Sequence, residues 1–229
     1  MIFNKYKTSD VYYDIDTKSY NNFVPKGFFS NPELYKTTRK INCPAVNTFN
    51  KRMYCINSPL DIKVTIKKDE NNVYSYYFEY KNAPFNQDVH NLINEMFHIS
   101  FDNDILTFQF TTPYCFYTDK KDIEIVVAPP NIVTKNIKFI SGAFKISNWI
   151  RAISCAWIIQ DIDKEAVIEF KTNKPLYHLI FNKNVNVTYK PFNNKTQDYF
   201  NNIKNIVKFK TNVNKYSVDI IKRKPKRFT

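Results

Sequence analysis

Three histidines, His90, His98 and His178, are the candidates for metal chemistry. An iron centre of the two-histidine, one-carboxylate type draws its imidazoles and its acid from facing strands. The chain contains no HxD pair, and its histidines would have to be brought together from distant segments. No metal and no cofactor is expected. Asp161, Asp163 and Glu165, spaced two apart after a Trp-bearing segment, could serve as paired carboxylates in acid–base catalysis. Their place between two apolar runs makes a solvated loop the simpler reading. No Ser or Cys stands in a recognisable nucleophile turn. A phosphate-cradling loop needs glycine, because its amides approach the anion in conformations other residues resist. Only Gly27 and Gly142 exist, so neither a P-loop nor a GxGxxG turn can be written.

Residue types suited to binding are more plentiful. Trp149 and Trp157, the only tryptophans, flank the stretch from Ile150 to Ala156. Asn131 closes the rigid break Ala128-Pro129-Pro130-Asn131, and His178 lies inside the apolar run Leu176-Tyr177-His178-Leu179-Ile180-Phe181. Together with Arg151 these form the candidate ligand-binding set. At the other end of the chain Lys222, Arg223, Lys224, Lys226 and Arg227 cluster around Pro225. Five cations there repel one another and lack matching carboxylates, so this end is expected to project and to bind a polyanion, nucleic acid included. The formal net charge is +13. Part of that excess has a plainer source, because a chain rich in Lys, Asn, Ile, Tyr and Phe and poor in Gly is what AT-rich codons produce.

The elements that must carry these residues are short strands. Leu60, Ile62, Val64 and Ile66 alternate with Asp61, Lys63, Thr65 and Lys67, a period of two that predicts a half-buried strand. Asp69 to Asn72 is a polar turn, and Tyr74, Tyr76, Phe78 and Tyr80 share the next face, which predicts an antiparallel hairpin. Further strands are expected at Ile105 to Phe110, Ile123 to Ala128, Ile137 to Ile146, Ile153 to Ile159, Ala166 to Phe170, Leu176 to Phe181, Val185 to Tyr189 and Tyr216 to Ile221. A short helix is expected near Asp88 to Met96. A longer amphipathic one runs from Thr196 to about Lys208, its stripe formed by Tyr199, Phe200, Ile203, Ile206 and Val207, with Asn193, Asn194 or Thr196 as cap.

Three zones follow. Residues 1 to 50 read as an irregular N-terminal arm broken by Pro25, Gly27, Pro32 and Pro44. Residues 51 to 191 form a β-sandwich core, and 192 to 229 hold the helix, a last strand and the basic tail. The fold class is mainly β, a jelly-roll-like sandwich or barrel with a C-terminal amphipathic helix. Cys43, Cys55, Cys115 and Cys155 stand far apart among apolar neighbours and read as reduced packing residues. No apolar run reaches the roughly 18 to 20 residues that cross a bilayer, and the first residues lack a signal-peptide layout, so no membrane and a cytoplasmic address are expected.

Several short segments in order carry a resemblance. They are Cys43-Pro44-Ala45, Ser58-Pro59-Leu60-Asp61-Ile62, Thr112-Pro113-Tyr114, Ala128-Pro129-Pro130-Asn131, Asn148-Trp149, Ala156-Trp157 and Lys174-Pro175-Leu176-Tyr177-His178-Leu179-Ile180-Phe181. Over about residues 40 to 182 the chain resembles an uncharacterised protein family of tailed phages and bacteria. The resemblance implies a phage-like gene and a compact β architecture, with the host cytoplasm or the virion as location. Residues 166 to 181 are also similar to the end of the dUTPase-type β-clip, an analogy of fold only. The leading expectation is a non-enzymatic binding or assembly protein that works with a protein partner or by self-assembly. A small-molecule or nucleotide-processing enzyme with a pocket near Trp149, Trp157 and His178 is the alternative, and a nucleic-acid-binding module the third.

Overall fold

The computed structural model describes residues 9–15, 35–36, 43–58, 61–71, 73–81, 94, 96–102, 105–129, 137–147, 150–159, 165–172 and 174–208. In chain order the elements are β1 (Ser9–Ile15), β2 (Tyr35–Lys36), α1 (Pro44–Asn50), β3 (Met53–Asn57), β4 (Asp61–Lys68), β5 (Tyr74–Lys81), β6 (Phe97–Asp102) and β7 (Ile105–Tyr117). They continue with β8 (Glu124–Ala128), β9 (Ile137–Ile140), β10 (Gly142–Lys145), β11 (Arg151–Ile159), β12 (Glu165–Phe170), β13 (Pro175–Phe181), β14 (Val185–Tyr189) and α2 (Asn194–Lys208). The protein is mainly β, its sheets packed on one another, with an amphipathic helix near the C-terminus.

The strands form three sheets. A six-stranded sheet runs β14-β1-β7-β11-β9, with β6 also on β7, a five-stranded sheet runs β10-β8-β13-β3-β2, and a three-stranded sheet runs β12-β4-β5. One apolar cluster joins all three, taking Val11, Phe108 and Trp157 from the first, Ile56, Val127 and Leu179 from the second, and Val64, Ile168 and Phe170 from the third. Side chains that alternate across a strand explain this sharing. On β7, Leu106, Phe108 and Phe110 enter the core, as do Tyr114 and Phe116, while Cys115 and Tyr117 face the other way beneath α2. The pairing of β7 with β11 shifts register between Ala152 and Ser154, opposite Pro113. Proline has no N–H for a ladder, so a strand irregularity is where it fits.

The hairpin forms with the register the alternation implies. Lys68 pairs with Tyr74 and Asp61 with Lys81. Ile62, Val64 and Ile66 are buried, Lys67 is exposed, and Lys63 stays outside the core, paired with Glu79 at 3.3 Å. Leu60 lies outside the described residues.

Four expectations change. The segment read as an irregular arm holds β1, an interior strand between β14 and β7, whose pairing with β14 is parallel. Within that segment Pro44 opens α1 rather than breaking structure; the first helical turn has no use for its missing N–H. Ile137 to Ile146 is two strands rather than one, β9 pairing with β11 in one sheet and β10 with β8 in another. The chain changes sheets at Ser141, as strands do at the corner of a sandwich. Cys43 is exposed, whereas Cys55, Cys115 and Cys155 are buried, and all four thiols are free. The helix expected at Asp88 to Met96 falls mostly outside the described residues, and the strand Tyr216 to Ile221 entirely so. Among the described residues no helix is long and apolar enough to cross a membrane.

Candidate functional site

Trp157 lies on the inward face of β11, one strand from the edge of its sheet, where β9 is last. Three phenylalanines fix its ring. Phe108 stands 5.4 Å away, Phe170 5.3 Å, and Phe139 meets it edge-on at 5.6 Å and 88°. Such offset and edge-to-face pairs hold an aromatic side chain in one orientation. With 6% of its surface exposed, Trp157 has its remaining access through a cavity of about 410 Å³.

The cavity opens where the three sheets meet. The edge strand β9 supplies Ile137 and Phe139, the edge strand β12 supplies Val167 to Phe170, and Pro129 and Pro175 close the side belonging to the five-stranded sheet. Its interior is apolar. Charge enters from the turn between β12 and β13, which places Lys171 and Lys174 on the rim beside Glu169. Lys171 pairs with Glu169 at 3.3 Å, and no carboxylate among the described residues pairs with Lys174.

That turn is held from three directions. The Lys174 N–H donates to the Lys171 carbonyl at 2.9 Å, the Ser58 N–H donates to the Lys174 carbonyl at 2.9 Å, and Ser58 bridges Thr172 in parallel. Asp61, the first residue of β4, accepts the Thr172 N–H at 2.6 Å. The Thr172 N–H holds the Asp61 carboxyl below its ordinary value. A carboxylate that accepts a backbone N–H is stabilised in its charged form.

His178 on β13 does not line the cavity but props its wall. Its Nδ1 lies 2.9 Å from the carbonyl oxygen of Pro129. Burial pushes the imidazole below its ordinary value, the bond to Pro129 opposing this in part. A neutral ring facing a carbonyl carries its proton on Nδ1 and donates it there.

The candidate set is therefore brought together only in part. Trp157 is in the cavity and His178 behind its wall. The backbone of Arg151 opens β11 opposite Phe116, six residues and roughly 20 Å before Trp157 at the rise of an extended strand. Trp149, Asn131 and the cluster Lys222, Arg223, Lys224, Lys226 and Arg227 lie outside the described residues. The sequence reading missed Phe139, Phe170, Lys171 and Lys174. The lysines had a visible signal, a polar turn ahead of Pro175, but nothing local ties that turn to a tryptophan on another sheet. Among the described residues no three His, Cys, Asp or Glu side chains converge as metal ligands.

A second surface stands apart from the cavity. β5 is the last strand of its sheet, paired only with β4 among the described residues. Neighbouring residues on opposite faces, Tyr76 and Tyr77, are 51% and 42% exposed. Lys67 lies 5.4 Å from the Tyr77 ring centroid and Lys68 5.8 Å from that of Tyr74, so cations border the aromatic edge. The start of the α2 stripe is less open. Tyr199 and Phe200 are buried with Cys115, Tyr117 and Ile150 on the outer face of the six-stranded sheet. No family model, curated protein or solved structure matches the chain.

Proposed function

We propose that this chain is a non-enzymatic binding or assembly protein of the phage-like kind its resemblance implies, and that it engages its partner by strand addition at β5. The observation that carries the reading is the aromatic edge. An edge strand offers a row of backbone donors and acceptors to an incoming extended segment, and exposed tyrosines on both faces supply amphipathic contact area at low entropic cost. Since the first turns of α2 are occupied by their own sheet, β5 is the better supported docking element. The occupant is an extended segment of another protein bearing acidic side chains. A second copy would bring a like charge of +13 against this one, whereas an acidic strand meets Lys81, exposed on β5 itself where Glu79 is already matched by Lys63, and Lys68 beside Tyr74 at the other end of the strand.

Mass spectrometry of purified particles, with amide hydrogen exchange on the recovered complex, tests this. The chain is expected in the particles with exchange at residues 74 to 81 slowed relative to the free protein. Absence from particles, or unchanged exchange across β5 in the complex, overturns the reading. Light scattering that shows a stable dimer protected at β5 replaces the acidic partner with a second copy.

A further inference from the structure

The cavity at Trp157 is a separate surface from β5, and its chemistry is that of a small-molecule site. We propose that it binds a planar aromatic anion, the ring entering the cavity and packing against Phe139, Trp157 and Phe170, with the anionic group meeting Lys174 at the rim. Size permits this, since cavities of roughly 300 to 1,000 Å³ hold small ligands and this one is about 410 Å³. The apolar walls select a ring. Phe139, Trp157 and Phe170, all lining the cavity, offer aromatic surface against which a ring can pack. The rim selects the charge. Of its two ammonium groups Lys171 is already matched by Glu169, which leaves the Lys174 charge for the ligand. The turn that carries both is tied to Ser58 and Asp61 before any ligand arrives, so little ordering cost falls on binding.

Calorimetric titration of the full chain with 2-naphthoate, its neutral amide 2-naphthamide, and acetate separates ring from charge. The naphthoate is expected to bind at about one per chain and about tenfold more tightly than the amide, with acetate undetectable, as a charge-assisted bond inside an apolar site requires. Lys174→Ala is expected to remove most of that tenfold advantage while leaving the amide as before. Val167→Trp, which fills the cavity from β12, is expected to abolish binding of both aromatic probes with the thermal midpoint little changed. Equal affinity for acid and amide, no response to Lys174→Ala, undiminished binding to a folded Val167→Trp protein, or no naphthoate binding at all overturns the proposal. None of these results bears on strand addition at β5.

Discussion

The hydroxyls of Thr112 and Tyr177 lie 2.8 Å apart in the interior, one on β7 of the six-stranded sheet and the other on β13 of the five-stranded sheet. Thr112 spends its single proton on the Ile153 carbonyl at 2.9 Å, so Tyr177 is the donor between the two. Ile153 sits within the register shift of β7 and β11. A carbonyl at such a shift is left over by the ladder, and Thr112 satisfies it.

The two ends of this chain are therefore unequal. Tyr177→Phe removes a donor and leaves Thr112 still bonded to Ile153, a loss of about 1 kcal/mol. Thr112→Val strands both the Tyr177 hydroxyl and the Ile153 carbonyl in the core, at about 2 to 4 kcal/mol. Urea denaturation of the two variants checks the order, and a larger loss for Tyr177→Phe would contradict the donor assignment.

Asp69 carries the hairpin turn. Its Oδ1 accepts the N–H groups of Asn71 and Val73, each at 2.8 Å. Replacing it by Ala is expected to cost about 1 kcal/mol and by Asn about half of that, since an amide oxygen still accepts, though without charge. Thermal midpoints of the two variants, measured side by side, give the ratio.

At α2 the cap is Asn193, whose Oδ1 accepts both the N–H and the hydroxyl of Thr196 at 2.9 Å. Asn193→Ala should cost about 1 kcal/mol, the usual worth of such a cap. Phe200→Ala, which empties a buried position under the same helix, should cost about 3 kcal/mol. Both should raise hydrogen exchange in residues 194 to 201 before exchange in β7.

Stability should decline as pH falls below about 6.5, the ordinary value of a histidine. Because burial holds His178 below that value in the folded state, the unfolded chain takes up its proton first. The contribution is complete above the unfolded value and is lost as pH drops through the folded one. Asp61 is also held low, but its contribution fades only in the carboxylate range, so the two windows stay apart. Denaturant midpoints between about pH 7 and pH 5 should fall less steeply for His178→Gln than for the natural chain; parallel slopes would show that another group is responsible.

The sequence by itself determined the elements whose pattern is local. The alternation from Leu60 to Lys67, the polar turn at Asp69, and the spaced stripe Tyr199-Phe200 each encode one periodicity, and a strand, a hairpin and a helix follow from it without reference to the rest of the chain. Where a strand is buried on both faces the alternation disappears. Tyr54, Cys55, Ile56 and Asn57 are all buried on β3, and that strand was passed over. β1 was hidden for a different reason, since Asp10 and Asp14 flank its two core residues Val11 and Tyr13, and its partners lie about a hundred residues away or more. The break of Ile137 to Ile146 at Ser141 was equally invisible, because each half is a good strand and only the position of its partner decides which sheet it joins. The cavity belongs wholly to the tertiary structure. Phe139, Trp157 and the stretch from Phe170 to Lys174 come from three segments, and they meet only because β9 and β12 end their sheets at the same corner. Sequence spacing specifies which face a residue takes along its own strand, while long-range pairing specifies what stands opposite that face.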